Sequence, residues 1–106
     1  MKDQILLTID THLQRTSIIT LKIGEKEFTS TSEALVFSSQ MVLPQIESLL
    51  VQAGKQLTDI TAITVDTGPG SFTGLRVGIS VANCLSTQLQ IPVNGKFDLA
   101  DAVYTE

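Results

Sequence analysis

One stretch of sequence constrains the fold more than any other. Residues 67–78 read TGPGSFTGLRVG, and they directly follow the β-branched run ITAITVD at residues 60–66. Such a run is typical of a buried strand. Gly68, Pro69 and Gly70 then predict a sharp turn, because glycine accepts positive φ angles and proline fixes the backbone between the two glycines. The apolar segment that follows predicts a helix over residues 72–89, so the chain belongs to the α/β class.

The rest of the chain predicts a mixed sheet flanked by helices. An antiparallel meander of three strands is expected first, at residues 5–9, 16–23 and 26–31, with the first strand buried on both faces. A helix over residues 36–53 should end at Gly54 and be kinked or divided at Pro44. A short strand at 91–94 and a helical turn at 98–104 complete the order. Right-handed crossovers should then bury the faces of the sheet.

Composition excludes several classes of function. Seven basic residues stand against eleven acidic ones, a formal net charge of −4, and the basic residues are scattered singly. Direct nucleic-acid binding by the chain alone is therefore disfavoured. A single cysteine, Cys84, excludes an internal disulfide. The first ten residues carry only a short apolar run, which predicts neither a signal peptide nor a membrane span and favours the cytoplasm.

Two interpretations of the glycine-rich turn remain open. A strand that passes through glycines into a helix is a layout that often binds phosphate. The spacing of Gly68, Gly70 and Gly74 is one residue too long for a dinucleotide fingerprint, and the lysine of a Walker loop is missing. These departures favour a structural turn, with Ser71 or Thr73 capping the helix.

Both main helices carry more apolar or small surface than one sheet can cover. The surplus residues of the first helix are Phe37, Met41, Pro44, Ser48 and Val51, and those of the second are Gly74, Val77, Gly78, Val81 and Cys84. These ten residues are the predicted protein interface. The alternative is that the two helices simply cover each other.

A family likeness rests on the block GPGSFTGLRVG at residues 68–78, on the strand end Ile9-Asp10-Thr11 and on Leu43-Pro44. The chain resembles the bacterial TsaB family over essentially its whole length. The resemblance implies a single ribonuclease-H-like lobe of the actin-like (ASKHA) fold, with a mixed sheet and flanking helices. Family members have two such lobes, so residues 1–106 are expected to match the N-terminal lobe, with the C-terminal lobe absent, as a short form or a fragment.

The same resemblance implies a function. TsaB proteins are regarded as non-catalytic partners of the transferase TsaD in making threonylcarbamoyladenosine in tRNA, and the pair recruits the ATPase TsaE. The first two helices of each protein pack together in that pairing, so the predicted interface would contact TsaD. Contact with tRNA would be indirect, through the complex. Family members often have a histidine where this chain has Ser38, which leaves the role of that position open.

The acidic residues and the histidine of the sequence do not predict an active site. Asp10 ends the first strand where actin-like ATPases bind phosphate and metal, but His12 follows rather than a glycine. His12 is the only histidine, and Asp59 and Asp66 lie at opposite ends of one strand. We therefore expect no catalytic residues, no cofactor and no metal. A minimal ATP-binding module and a homodimer formed through the helices are the alternatives.

Overall fold

The computed structural model describes residues 4–13, 16–33, 39–70 and 72–96, apart from the side chains of residues 39–41 and 72–73. Its main elements, in chain order, are β1 (Ile5–Asp10), β2 (Thr16–Ile23), β3 (Lys26–Glu33), α1 (Ser39–Ala53), β4 (Ala62–Val65) and α2 (Phe72–Leu89). A 3-10 turn, Leu57–Asp59, lies between α1 and β4. The predicted order of the first six elements, three strands followed by a helix, a strand and a helix, is thus confirmed.

The four strands form one mixed sheet in the order β3-β2-β1-β4. β2 pairs antiparallel with both β1 and β3, and β4 pairs in parallel with β1. A parallel neighbour needs a crossover, and α1 lies in that connection. The parallel pairing brings the carboxyl ends of β1 and β4 to the same edge, where both strands lead into loops. Asp10 ends β1 and Asp66 follows β4 at this edge.

The segment after α2 extends the sheet less than the sequence predicts. The predicted strand at residues 91–94 forms only isolated bridges, in which Val93 pairs with Ile63 and with Lys96. The side-chain amide of Asn94 instead makes two hydrogen bonds with the backbone of Val65. Its oxygen accepts from the Val65 N–H at 2.9 Å, and its nitrogen donates to the Val65 carbonyl at 3.1 Å. The side chain of Asn94 thus replaces further strand pairing. The predicted turn at 98–104 lies outside the described residues.

The core lies on one face of the sheet. Ile5, Leu7 and Ile9 of β1 are buried, whereas the residues between them are only half-buried. The buried residues of α1 and α2 belong to the same cluster as this face. The expectation that β1 is buried on both faces is therefore wrong, because both helices pack on the same side of the sheet.

Helix α1 is continuous through Pro44, so of the two expected outcomes, a kink or a division, the division is wrong. Pro44 lies near the start of the helix and on its exposed side, so the missing backbone donor removes only one helical hydrogen bond. The predicted start at residue 36 lies outside the described residues. Across the described part of the chain, neither helix is long and apolar enough to cross a membrane.

Candidate functional site: a groove between two helices and a polar corner

An apolar groove of about 390 Å³ runs between α1 and α2. Its lining consists of Leu43, Leu57, Ser80, Val81, Cys84, Leu85 and Gln88. Leu43 is 43% exposed and Leu57 is 37% exposed, although both are large apolar side chains. Since the lining carries no charge, the groove is suited to an apolar side chain or helix of another molecule.

Three of the predicted interface residues of α1 lie at the surface of the helix. Pro44 and Ser48 are exposed, and Val51 is 80% exposed. Phe37 and the side chain of Met41 lie outside the description. Leu43 is a large apolar residue of α1, yet it lies in the groove and not in the core. Leu43 lies at one margin of the buried face of α1 and is exposed, whereas Gln45 lies at the other margin and is buried.

Gln45 is a buried polar residue that the sequence did not reveal. Its amide oxygen accepts a hydrogen bond from the hydroxyl of Ser17 on β2. Its amide nitrogen donates to the carbonyl of Ser30 on β3 at 3.2 Å and to the Ser30 hydroxyl at 3.2 Å. These bonds fix α1 across two strands of the sheet, and thereby fix one wall of the groove.

The three larger residues of the predicted interface on α2 differ in how far they are exposed. Cys84 is exposed and lines the groove. Val77 is half-buried and packs against the core. Val81 is only 5% exposed, so the prediction that it lies outside the core is wrong: it is a core residue whose edge reaches the groove. A charge at Val81 would therefore unfold the chain rather than only block binding.

Gly74 and Gly78 pack against another part of the same chain, so their assignment to the protein interface is wrong. A Cβ atom added at Gly74 would overlap the carbonyl oxygen of Thr11, and one added at Gly78 would overlap the Thr11 hydroxyl. Thr11 is fully buried, and its hydroxyl has no hydrogen-bond partner among the described residues. The small residues thus bring α2 against the end of β1.

The glycine-rich turn is tied to the same strand end. Gly68 has a φ of 105°, and its N–H donates to Oδ1 of Asp66 at 2.8 Å. A side chain at Gly70 would lie 2.7 Å from the carbonyl oxygen of His12. The turn therefore packs against its own chain, in agreement with the structural interpretation. Ser71 and the side chain of Thr73 lie outside the description.

A cluster of three polar side chains occupies this corner: Asp10, His12 and Asp66. The Nδ1 atom of His12 hydrogen-bonds to Oδ1 of Asp10 and lies 3.2 Å from Oδ2 of Asp66. The hydrogen bond with Asp10 raises the pKa of the His12 imidazole above its ordinary value. The charges of Asp10 and Asp66 add to that rise, while partial burial acts in the opposite direction.

Sequence reasoning missed this cluster because it compared Asp66 only with Asp59. Asp66 is distant from His12 along the chain, and parallel pairing of β4 with β1 brings them together. The available signal was that both Asp10 and Asp66 end strands whose carboxyl ends share one edge. Two carboxylates at this corner also disfavour a phosphate, since like charges repel.

Comparisons with known proteins agree on one family. The family model described as TsaD, tRNA N6-adenosine threonylcarbamoyltransferase, matches residues 32–96. The chain is 36% identical over 94 residues to the tRNA threonylcarbamoyladenosine biosynthesis protein TsaB of Haemophilus influenzae, covering 88% of the chain and 39% of that protein. It is 42% identical over 57 residues to the Escherichia coli protein of the same name, covering 54% of the chain and 25% of that protein.

The solved structure of YeaZ from Pseudomonas aeruginosa superposes with a TM-score of 0.78 at 28% identity, covering 97% of this chain and 44% of that one. This likeness confirms the expected fold class, a ribonuclease-H-like lobe of the actin-like type. The chain spans less than half the length of each of these relatives.

Proposed function

Because this chain belongs to the TsaB family, within the group that the TsaD model matches, we propose that it is a non-catalytic subunit of the threonylcarbamoyladenosine machinery. In this role it binds and supports the TsaD transferase through α1 and α2. The tRNA is reached only through the complex, and TsaE joins the pair as a further partner. Residues 1–106 correspond to the N-terminal lobe of the longer family members.

The groove between α1 and α2 is the observation that carries this proposal. It exposes Leu43 of α1 and Cys84 of α2, the two helices that the sequence singled out, together with Leu57 of the 3-10 turn that follows α1. Burying apolar surface contributes about 25 cal/mol per Å² removed from water, so an uncovered groove of this kind favours a partner. Pro44, Ser48 and Val51 are also exposed on α1, outside the lining of the groove.

The distribution of reactive side chains supports a non-catalytic role. The chain has one histidine and one cysteine. Gly74 lies against Thr11, next to His12, and Cys84 is ten residues further along α2, which corresponds to about 15 Å at the helical rise. A nucleophile and its base must be within hydrogen-bond reach, so Cys84 and His12 cannot form such a pair.

Co-purification with TsaD from the same organism tests the proposal. Leu43→Glu places a charge in the groove at a residue that is already exposed, and we expect it to weaken TsaD binding at least about tenfold, since a buried unpaired charge is costly. Leu13→Glu is the matched control, because Leu13 is 49% exposed but lies beside His12, away from the groove lining. Equal binding by the two variants would overturn the assignment of the interface.

Two further measurements address the other hypotheses. The mass of the chain in solution, with and without TsaD, separates a homodimer from a mixed complex. Titration with ATP addresses the nucleotide-binding alternative. Saturable binding that is lost in Asp10→Asn would favour an ATP module over the non-catalytic subunit.

A further inference from the structure

The Asp10, His12 and Asp66 cluster has the composition and size of a metal site. One nitrogen and two oxygen ligand atoms from these side chains all lie within 4.8 Å of one another. Metal–ligand bonds of about 2.0–2.2 Å place neighbouring ligands about 2.8–3.6 Å apart, from octahedral to tetrahedral geometry, and His12 Nδ1 lies 3.2 Å from Asp66 Oδ2. Small side-chain rotations would therefore place all three atoms around one ion.

The backbone holds the three ligands in place. Asp10 ends β1, and its carboxylate accepts the backbone N–H of His12 at 3.1 Å. Asp66 follows β4, and its backbone N–H donates to the carbonyl of Ile9 on β1 at 3.1 Å. Gly70 lies so close to His12 that a Cβ atom added at Gly70 would overlap the His12 backbone. Asp10 and Asp66 thus come from the ends of two paired strands, and His12 comes from the loop that follows β1.

The negative charges at this corner favour a cation. Two carboxylates face a single imidazole, so the negative charge of Asp10 and Asp66 attracts a cation to this corner. The three side chains are each about one-third exposed, so an ion can enter and waters can complete its coordination. Three protein ligands plus open positions is a common arrangement for transition metals.

We propose that Asp10, His12 and Asp66 bind a divalent transition-metal ion, of the class of Ni²⁺, Co²⁺ or Zn²⁺. The imidazole nitrogen selects these ions over Mg²⁺, which prefers oxygen ligands in octahedral geometry. The bound ion ties the end of β1 to the end of β4 beside the start of α2. This site is separate from the helical groove and does not depend on the proposed pairing with TsaD.

Titration of the untagged full chain with Ni²⁺ or Co²⁺ tests the site, by calorimetry and by the visible spectrum of bound Co²⁺. We expect one ion per chain, a raised unfolding temperature with metal, and no displacement by equimolar Mg²⁺. His12→Ala and Asp66→Asn should each weaken binding at least about tenfold, because each removes one of only three protein ligands. In Asp66→Asn the amide oxygen can still accept the Gly68 N–H, so the turn is retained.

Glu47→Gln is the matched control, since it removes one exposed negative charge from α1, outside the cluster. It should bind metal as the unmodified chain does. The proposal is overturned if no saturable binding occurs, if equimolar Mg²⁺ displaces the ion, or if His12→Ala and Asp66→Asn bind as tightly as Glu47→Gln. Both cluster variants should unfold cooperatively without metal, which separates lost ligands from lost structure.

Discussion

The two halves of α2 use a similar set of small and apolar residues in opposite ways. In the first half, Gly74 and Gly78 lie against Thr11, and the contact is closed by the chain itself. In the second half, Val81 and Cys84 line a groove that stays open to solvent. The difference shows that a surplus apolar or small face does not by itself indicate a partner. What lies opposite each residue decides whether the face is internal.

The largest effect should come from Gly74→Ala. The added methyl group meets the backbone carbonyl of Thr11, which cannot rotate away as a side chain can. An overlap with a backbone atom puts the overpacking cost at or above the upper end of the usual range, about 3–4 kcal/mol, and alanine recovers about 1 kcal/mol of helix propensity. We therefore expect a net loss of about 2–3 kcal/mol. Chemical denaturation measures it. An unchanged or higher stability would show that the first half of α2 is not closely packed.

A somewhat smaller effect is expected for Gln45→Ala, which tests what holds the α1 wall of the groove. The substitution leaves the buried Ser17 hydroxyl without its acceptor and removes the bonds to Ser30. We expect a loss of about 2 kcal/mol in the free energy of unfolding. Gln52→Ala, at an exposed position of the same helix, should change it by less than about 0.5 kcal/mol. Similar losses in both variants would contradict the role of the buried amide.

The smallest of the three stability effects is expected for Gly78→Ala, and it sharpens the contrast with Gly74. Here the added methyl group meets the side chain of Thr11 rather than its backbone. We expect a loss of about 1–2 kcal/mol that is largely recovered in the double variant with Thr11→Ala. Thr11→Ala should not rescue Gly74→Ala. A double-mutant cycle measures both couplings, and equal rescue of the two glycine variants would contradict the geometry.

Local chemistry predicted much of the fold. The bounds of β2 follow from its β-branched sequence, and the glycine-rich turn between β4 and α2 was apparent from Gly68 and Pro69. The spacing of apolar and small residues predicted a surplus face on each helix, but it assigned Val81 to that face, and Val81 is buried. It could not say that Leu43 would be exposed and Gln45 buried, because a modest rotation of the helix exchanges residues at the two margins of its buried arc.

The site was harder to predict for a different reason. His12 and Asp66 meet only through the pairing of β4 with β1, and Val81 is buried only because of how α2 packs. Such contacts depend on the arrangement of several elements together. The spacing of residues within one element carries no information about them.

The reactivity of Cys84 tests the central claim, that the open half of α2 is the surface that binds TsaD. Cys84 is the only cysteine of the chain, it is exposed, and it lines the groove. Its alkylation rate is followed on this chain by mass spectrometry, alone and with saturating TsaD. We predict that TsaD slows labelling at least about tenfold, because a docked helix excludes the reagent. A complex that forms while Cys84 reacts at its free rate would contradict the claim.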